Sequence, residues 1–120
     1  MKKIIIEVAI PDINNHINHI LRVIKGRKKH LELEIYDAVL LIVYNNIEMP
    51  VKILKPSRKT HNLKAKYKIA DRSIFFNFIK KCKDVPIIKL TFTDNSLESF
   101  VSGTFFSFDI QKDFPQNIKL

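Results

Sequence analysis

The chain is short of glycine, cysteine, acidic residues and long apolar runs, and each shortage excludes something. Its glycines are Gly26 and Gly103, in 120 residues. A loop that cradles phosphate needs several glycines so that backbone can approach the ligand, so glycine-rich nucleotide loops are excluded, as is a mostly loop-built protein. Cys82 stands alone, which leaves no disulfide framework and no cysteine-based zinc cluster. The first apolar run, IIIEVAI, is interrupted by Glu7 and is too short to cross a bilayer, and no secretory signal pattern surrounds it. The expectation is an intracellular, cytoplasmic protein with no membrane partner.

Acidic side chains are outnumbered, 12 Asp and Glu against 21 Lys and Arg, for a net charge of +9 and a pI near 9.7. A field of that sign favours nucleic acid or an anionic membrane surface. Abundant Ile, Lys, Asn and Phe are also what an AT-rich coding sequence produces, so a merely solvated lysine surface is the competing account. The imbalance peaks between Met49 and Ala70, which hold no acidic residue but carry Lys52, Lys55, Arg58, Lys59, Lys64, Lys66 and Lys68. With 46% hydrophobic and 28% charged residues, the length fits one globular domain.

KKIIIEVAI reads as a strand whose three consecutive isoleucines predict burial on both faces. Asp12 then serves as helix N-cap, and Gly26 stands where that helix would end. Between them Ile13, Ile17, Ile20, Leu21 and Ile24 recur at the spacing of one apolar helical stripe, while Asn15, Asn18, His19 and Arg22 project the other way. HLELEIYDAVLLIVYNN alternates through Leu31, Leu33 and Ile35, then continues after Asp37 as a more fully buried strand. Asn45 and Asn46 mark a hairpin, because asparagine tolerates left-handed backbone angles. IEMPVKIL returns as an edge or bulged strand, since Pro50 has no N–H for a ladder.

KPSRKTHN is a polar linker without periodicity. LKAKYKI then alternates, with Leu63, Ala65, Tyr67 and Ile69 on one face and Lys64, Lys66 and Lys68 on the other. Asp71 caps a second helix with the stripe Phe75, Phe78, Ile79 and Cys82. Phe76 sits on the shoulder of that stripe, as a core-boundary residue or a subunit contact. PIIKLTFTD, SLESFV and TFFSFDI complete three strands, the last two joined at Ser102-Gly103, and the tail QKDFPQNIKL is expected to be irregular or loosely docked.

The predicted fold is therefore α+β: a duplicated β-α-β-β-β unit, with repeats over about residues 1–55 and 62–111, a basic linker 55–62 and a tail 112–120. Val8 and Ile10 correspond to Tyr67 and Ile69, and Ile17, Ile20, Leu21 and Ile24 to Phe75, Phe78, Ile79 and Cys82. Leu33, Ile35, Asp37 and Leu40 correspond to Leu90, Phe92, Asp94 and Leu97, and the Asn46 turn to Gly103.

On AIPDINNHINHILRVIKG with HLELEIYDAVLLIVYNN, and KIADRSIFFNFIKKCKD with IIKLTFTDNSLESFV, the chain resembles one domain of the DNA sliding clamps, the processivity fold of replicative polymerases. The resemblance is architectural, covers nearly the whole chain and rests on no short motif. It implies two helices side by side on antiparallel sheet, facing duplex DNA, and self-association through sheet edges. Family chains carry two or three such domains and tend to be acidic; this chain has one and is basic. Closing a ring would take about six copies joined head to tail.

That resemblance implies a DNA-binding replication accessory role. The expected duplex contacts are Arg22, Lys25, Lys80, Lys81 and Lys83, which would form a cationic strip, with Asn15, Asn18, Ser73 and Asn77 adding neutral hydrogen bonds to phosphate. Lys55, Arg58, Lys59, Lys64, Lys66 and Lys68 form a second basic patch, whose other reading is protection of a sheet edge or face. The alternative function is a non-enzymatic adaptor or inhibitor that binds an acidic protein through that patch; RNA is a further candidate ligand. His16 and His19 lack further suitably spaced metal ligands, Ser and Thr lack a nucleophile-elbow context, and the pair Glu32 and Glu34 reads as a solvated sheet face. No enzyme, metal or cofactor is expected.

Overall fold

Among residues 3–24, 29–56 and 64–113, which the computed structural model describes, period-two alternation underlies eight strands and period-3.6 stripes two helices, and a ninth, short strand arises without such a pattern. In chain order these are β1 (Ile4–Ala9), α1 (Ile10–His19) followed by a π-helical turn (Ile20–Ile24), β2 (Leu31–Tyr36), β3 (Val39–Tyr44), β4 (Ile47–Lys52), β5 (Lys64–Ile69), α2 (Arg72–Lys81), β6 (Ile87–Phe92), β7 (Ser96–Val101), β8 (Thr104–Asp109) and β9 (Gln111–Asp113). The protein is α+β, with two antiparallel sheets of strand order β1-β6-β7-β8 and β4-β3-β2-β5-β9. Apart from β9 the two orders are equivalent. Each places three consecutive strands of one half beside the first strand of the other half.

The register sharpens the correspondence between halves. Ile35 pairs with Leu40 as Phe92 pairs with Leu97, so those residues match as the sequence expects. The first strands do not match as expected. Leu33 faces Tyr67 and Leu31 faces Ile69, whereas Leu90 faces Ile6 and Ile88 faces Val8. Ile6 and Val8 are therefore the counterparts of Tyr67 and Ile69, and Ile10 has already entered the helix. An apolar alternation looks the same after a two-residue shift, so only pairing partners could fix it.

Inward side chains of both sheets and both helices merge into one core. Val8, Ile13, Ile17, Ile20, Leu33, Leu40, Phe75, Ile79, Leu90 and Phe92 are all essentially inaccessible. Tyr67 of one sheet stacks on Phe92 of the other at 4.8 Å between ring centroids, and burial pushes its hydroxyl up to about 12, with the Asp94 carboxylate adding to the shift. On β1 only one face is covered: Ile6 is buried, but Ile5 is 54% exposed, against the expectation from three consecutive isoleucines.

The helix starts differ. Asp71 caps α2 as expected, accepting hydrogen bonds from the Ser73 N–H at 3.0 Å and the Ser73 hydroxyl at 2.6 Å. α1 begins directly after β1 with Ala9 in the capping position, so Asp12 lies in the first turn and caps nothing. There it still faces the positive end of the helix dipole. The predicted stripe also fails at Leu21, which is 43% exposed where the chain widens to a π turn from Ile20. Gly26 lies outside the described residues. The tail begins as a strand rather than irregularly: Gln111–Asp113 pairs with β5 as β9.

Three hairpins close through two-residue turns with left-handed backbone: Asn45-Asn46, Ser102-Gly103 and Asp37-Ala38. The sequence announces the first two but not the third, because alanine carries no turn chemistry. Ala38 has φ +66°, a region disfavoured for a residue with a Cβ. Replacing Ala38→Gly is expected to raise stability by roughly 0.5–1 kcal/mol, since the relieved left-handed strain exceeds the added unfolded-state entropy. Urea unfolding of the two proteins checks this.

Candidate nucleic-acid interface

α1 packs against α2, and two backbone hydrogen bonds orient the pair. The Ile10 N–H, at the start of α1, donates to the Pro86 carbonyl, just beyond the end of α2. The Arg72 N–H, at the start of α2, donates to the Lys29 carbonyl, just beyond the end of α1. Each helix therefore starts beside the chain that has just left the other, and the two run antiparallel.

That direction changes the expected site. Asn15, Asn18 and Arg22 are exposed on the first helical segment, and Ser73, Asn77, Lys80 and Lys81 on the second, with Lys83 exposed in the following turn. Because the helices are antiparallel, Lys80, Lys81 and Lys83 stand at the end where α1 begins, while Arg22 stands at the opposite end. The predicted strip is thus two separated cationic ends with neutral amides between them. Asp12 and Asp84 are exposed at the lysine-bearing end and reduce its field. Cations in the last turn of a helix also complement its dipole, which accounts for Lys80 and Lys81 without a ligand. Lys25 lies outside the described residues.

The second basic patch is less uniform than its sequence. Lys64, Lys66 and Lys68 do share the outer face of β5, but β2 lies beside them and turns Glu32 and Glu34 to that same face. The Lys66 ammonium lies 3.6 Å from Glu32 and 3.9 Å from Glu34, and Lys64 sits over the Tyr36 ring at 4.9 Å. This face is a mixed-charge ladder, and Lys66 is not a free cation. Lys55 is exposed with a left-handed backbone; Arg58 and Lys59 lie outside the described residues.

Several chemistry-bearing residues have structural partners. His16 donates from Nε2 to the Pro50 carbonyl at 2.7 Å, tying α1 to β4. Among the described residues no cluster of three or more His, Cys, Asp or Glu side chains could hold a metal ion. Phe76 is buried beneath Arg72, whose guanidinium donates to the Tyr44 hydroxyl and lies over the Tyr44 and Phe76 rings at 4.9 and 5.9 Å. Arg72 thereby locks the start of α2 onto β3, and its charge is engaged there. No sequence pattern pointed to this, because it joins residues from opposite halves. The aromatic pair Phe100 and Phe105 was also missed: they face each other across β7 and β8 and are 70% and 60% exposed. The alternation of TFFSFDI carries that signal, since a strand with aromatics on both faces cannot bury them all against one core.

In comparisons with protein-family models, curated proteins and solved structures, nothing matches this chain. Among the described residues no helix is long and apolar enough to cross a membrane.

Two tests follow from the local chemistry. The hydrogen bonds from the Ser73 side chain and backbone hold the Asp71 carboxyl below its ordinary range, with Lys29 and Arg72 adding to the effect. A lowered folded value means the cap stabilises fully above the ordinary carboxylate range and fades as pH falls through the lowered value. Asp71→Ala should therefore lower the melting temperature at neutral pH, and the gap to wild type should close in strong acid. Burial pushes the Cys82 thiol up, so the native protein should resist a thiol reagent that modifies Cys82 rapidly once guanidinium has unfolded the chain.

Proposed function

We propose that this is a clamp-like, cytoplasmic DNA-binding protein, an accessory to replication that contacts duplex phosphates without reading sequence. The single observation that carries the reading is the antiparallel helix pair, whose outward faces present Asn15, Asn18, Arg22, Asn77, Lys80 and Lys81 on a chain of net charge +9. Amide and cationic groups hydrogen-bond phosphate oxygens at any base sequence. The matching strand orders of the two sheets, with exchanged first strands, support the clamp-like architecture. The adaptor reading rests on the basic linker, whose Arg58 and Lys59 lie outside the described residues, together with the lysine face of β5. Only the sheet part of that reading is weakened, by Glu32 and Glu34, which share Lys66.

Two separated cationic ends make few simultaneous phosphate contacts, so binding should be weak and strongly salt-dependent, the logarithmic slope being about 0.9 per phosphate neutralised. Reversing Arg22, Lys80 and Lys81 together to Glu should flatten that slope and lower affinity equally for unrelated duplex sequences. Fluorescence anisotropy across a salt series measures both. Unchanged binding by the triple variant would remove the helix face from the site, and a preference for RNA in competition would redirect the function.

A further inference from the structure

Every open sheet edge presents unpaired N–H and C=O groups, and proteins normally blunt such edges. Three of the edges here are blunted. β1 is bridged by Leu54, whose N–H donates to the Glu7 carbonyl at 2.8 Å. β9, on the far side of β5, is only 3 residues long. β4 is interrupted in its middle: the Ile53 N–H bonds the Ala38 carbonyl, so odd-numbered residues there turn their backbone toward β3 and even-numbered ones turn outward. That places Pro50 on the open side, where it offers no N–H and where its carbonyl already accepts from His16.

β8 has none of these devices among the described residues. The Ile110 N–H bonds the Asn95 carbonyl beside β7, so Phe105, Ser107 and Asp109 turn their N–H and C=O outward. The strand TFFSFD holds no proline, lysine or arginine. Both its sides carry accessible apolar side chains, beside Ser107 and Asp109 on the outer face and Asn77 and Lys81 at the rim of the inner groove. Phe100 and Phe105 are exposed on the outer face, and on the inner face Ile74 of α2 is 47% exposed beside half-buried Phe106 and Phe108.

We infer that β8 is a self-association edge, on which two copies of this chain pair antiparallel about a twofold axis through Ser107. In that register Ser107 faces its own copy and Phe105 faces Asp109 of the other. Every outward N–H and C=O of the three residues then finds a partner, and the strand's one charge does not meet its like. The axis stands perpendicular to the sheet, so inner faces remain on one side and Ile74, Phe106 and Phe108 of the two copies adjoin. Head-to-tail pairing of β8 with β4 of another copy would instead meet Pro50, where both the donor and the acceptor are lost. The edges thus favour a closed dimer over a ring, an isologous contact rather than a heterologous one. This inference does not depend on the DNA reading.

Sedimentation or light scattering of the full chain, at raised salt to screen the like net charges, should give twice 14.1 kDa. Ser107→Cys should form a covalent dimer on mild oxidation, because only a twofold pairing brings this position onto itself; buried Cys82 should not interfere. Ser107→Pro removes an outward N–H and leaves the bonds to β7 intact, so it should shift the protein to monomer with an unchanged circular dichroism spectrum. A wild-type monomer at all concentrations, a larger ring, or a dimer that Ser107→Cys fails to cross-link would each overturn the inference.

Discussion

The molecule depends on one exchange of strands. β2, β3 and β4 are completed by β5 from the other half, and β6, β7 and β8 by β1. Neither half can therefore finish its sheet or cover its apolar face alone, and the two halves share one core. α1 leaves β1 without an intervening loop, and α2 follows β5 after Ala70 and Asp71. Exchanging the strands thus carries the helices with it, and the bonds Ile10 to Pro86 and Arg72 to Lys29 seat each helix start beside the other helix's exit.

That arrangement governs the electrostatics. Antiparallel helices separate their C-terminal cations, so Arg22 and the lysines after Asn77 act at opposite ends of the pair. Register does the same for the sheet: Glu34 pairs with Lys66 and Glu32 with Lys68, so the lysines of β5 lie against the acidic residues of β2. A net charge of +9 remains, but it is spread. A spread field steers an anionic partner at long range and fixes no base-specific register.

The edges follow the same topology. After β4, Leu54 crosses to β1; after β8, the chain crosses at Gln111 to β5 and continues as β9. These crossings cover the first strand of each half and leave β4 and β8 as counterparts. Pro50 and His16 close β4, whereas Ser107 and the flanking phenylalanines leave β8 open. Two nearly equivalent halves thus acquire different surfaces through a few side chains.

By itself the sequence determined the element order, both apolar stripes up to Ile20 and Cys82, the Asp71 cap, the hairpins at Asn45-Asn46 and Ser102-Gly103, and the edge position of Pro50. All of these are local: periodicity, capping and turn chemistry act over a few residues. Tertiary structure decided the rest. It set the register of β1 and β5, because an apolar alternation survives a two-residue slip and only partners such as Leu33 and Leu90 choose between registers. It decided that Ala38 turns the chain, that β9 exists, that Lys66 is paired and that the helix cations lie apart. Charge and exposure at a residue depend on which distant strand or helix lies beside it, and no local pattern encodes that neighbour.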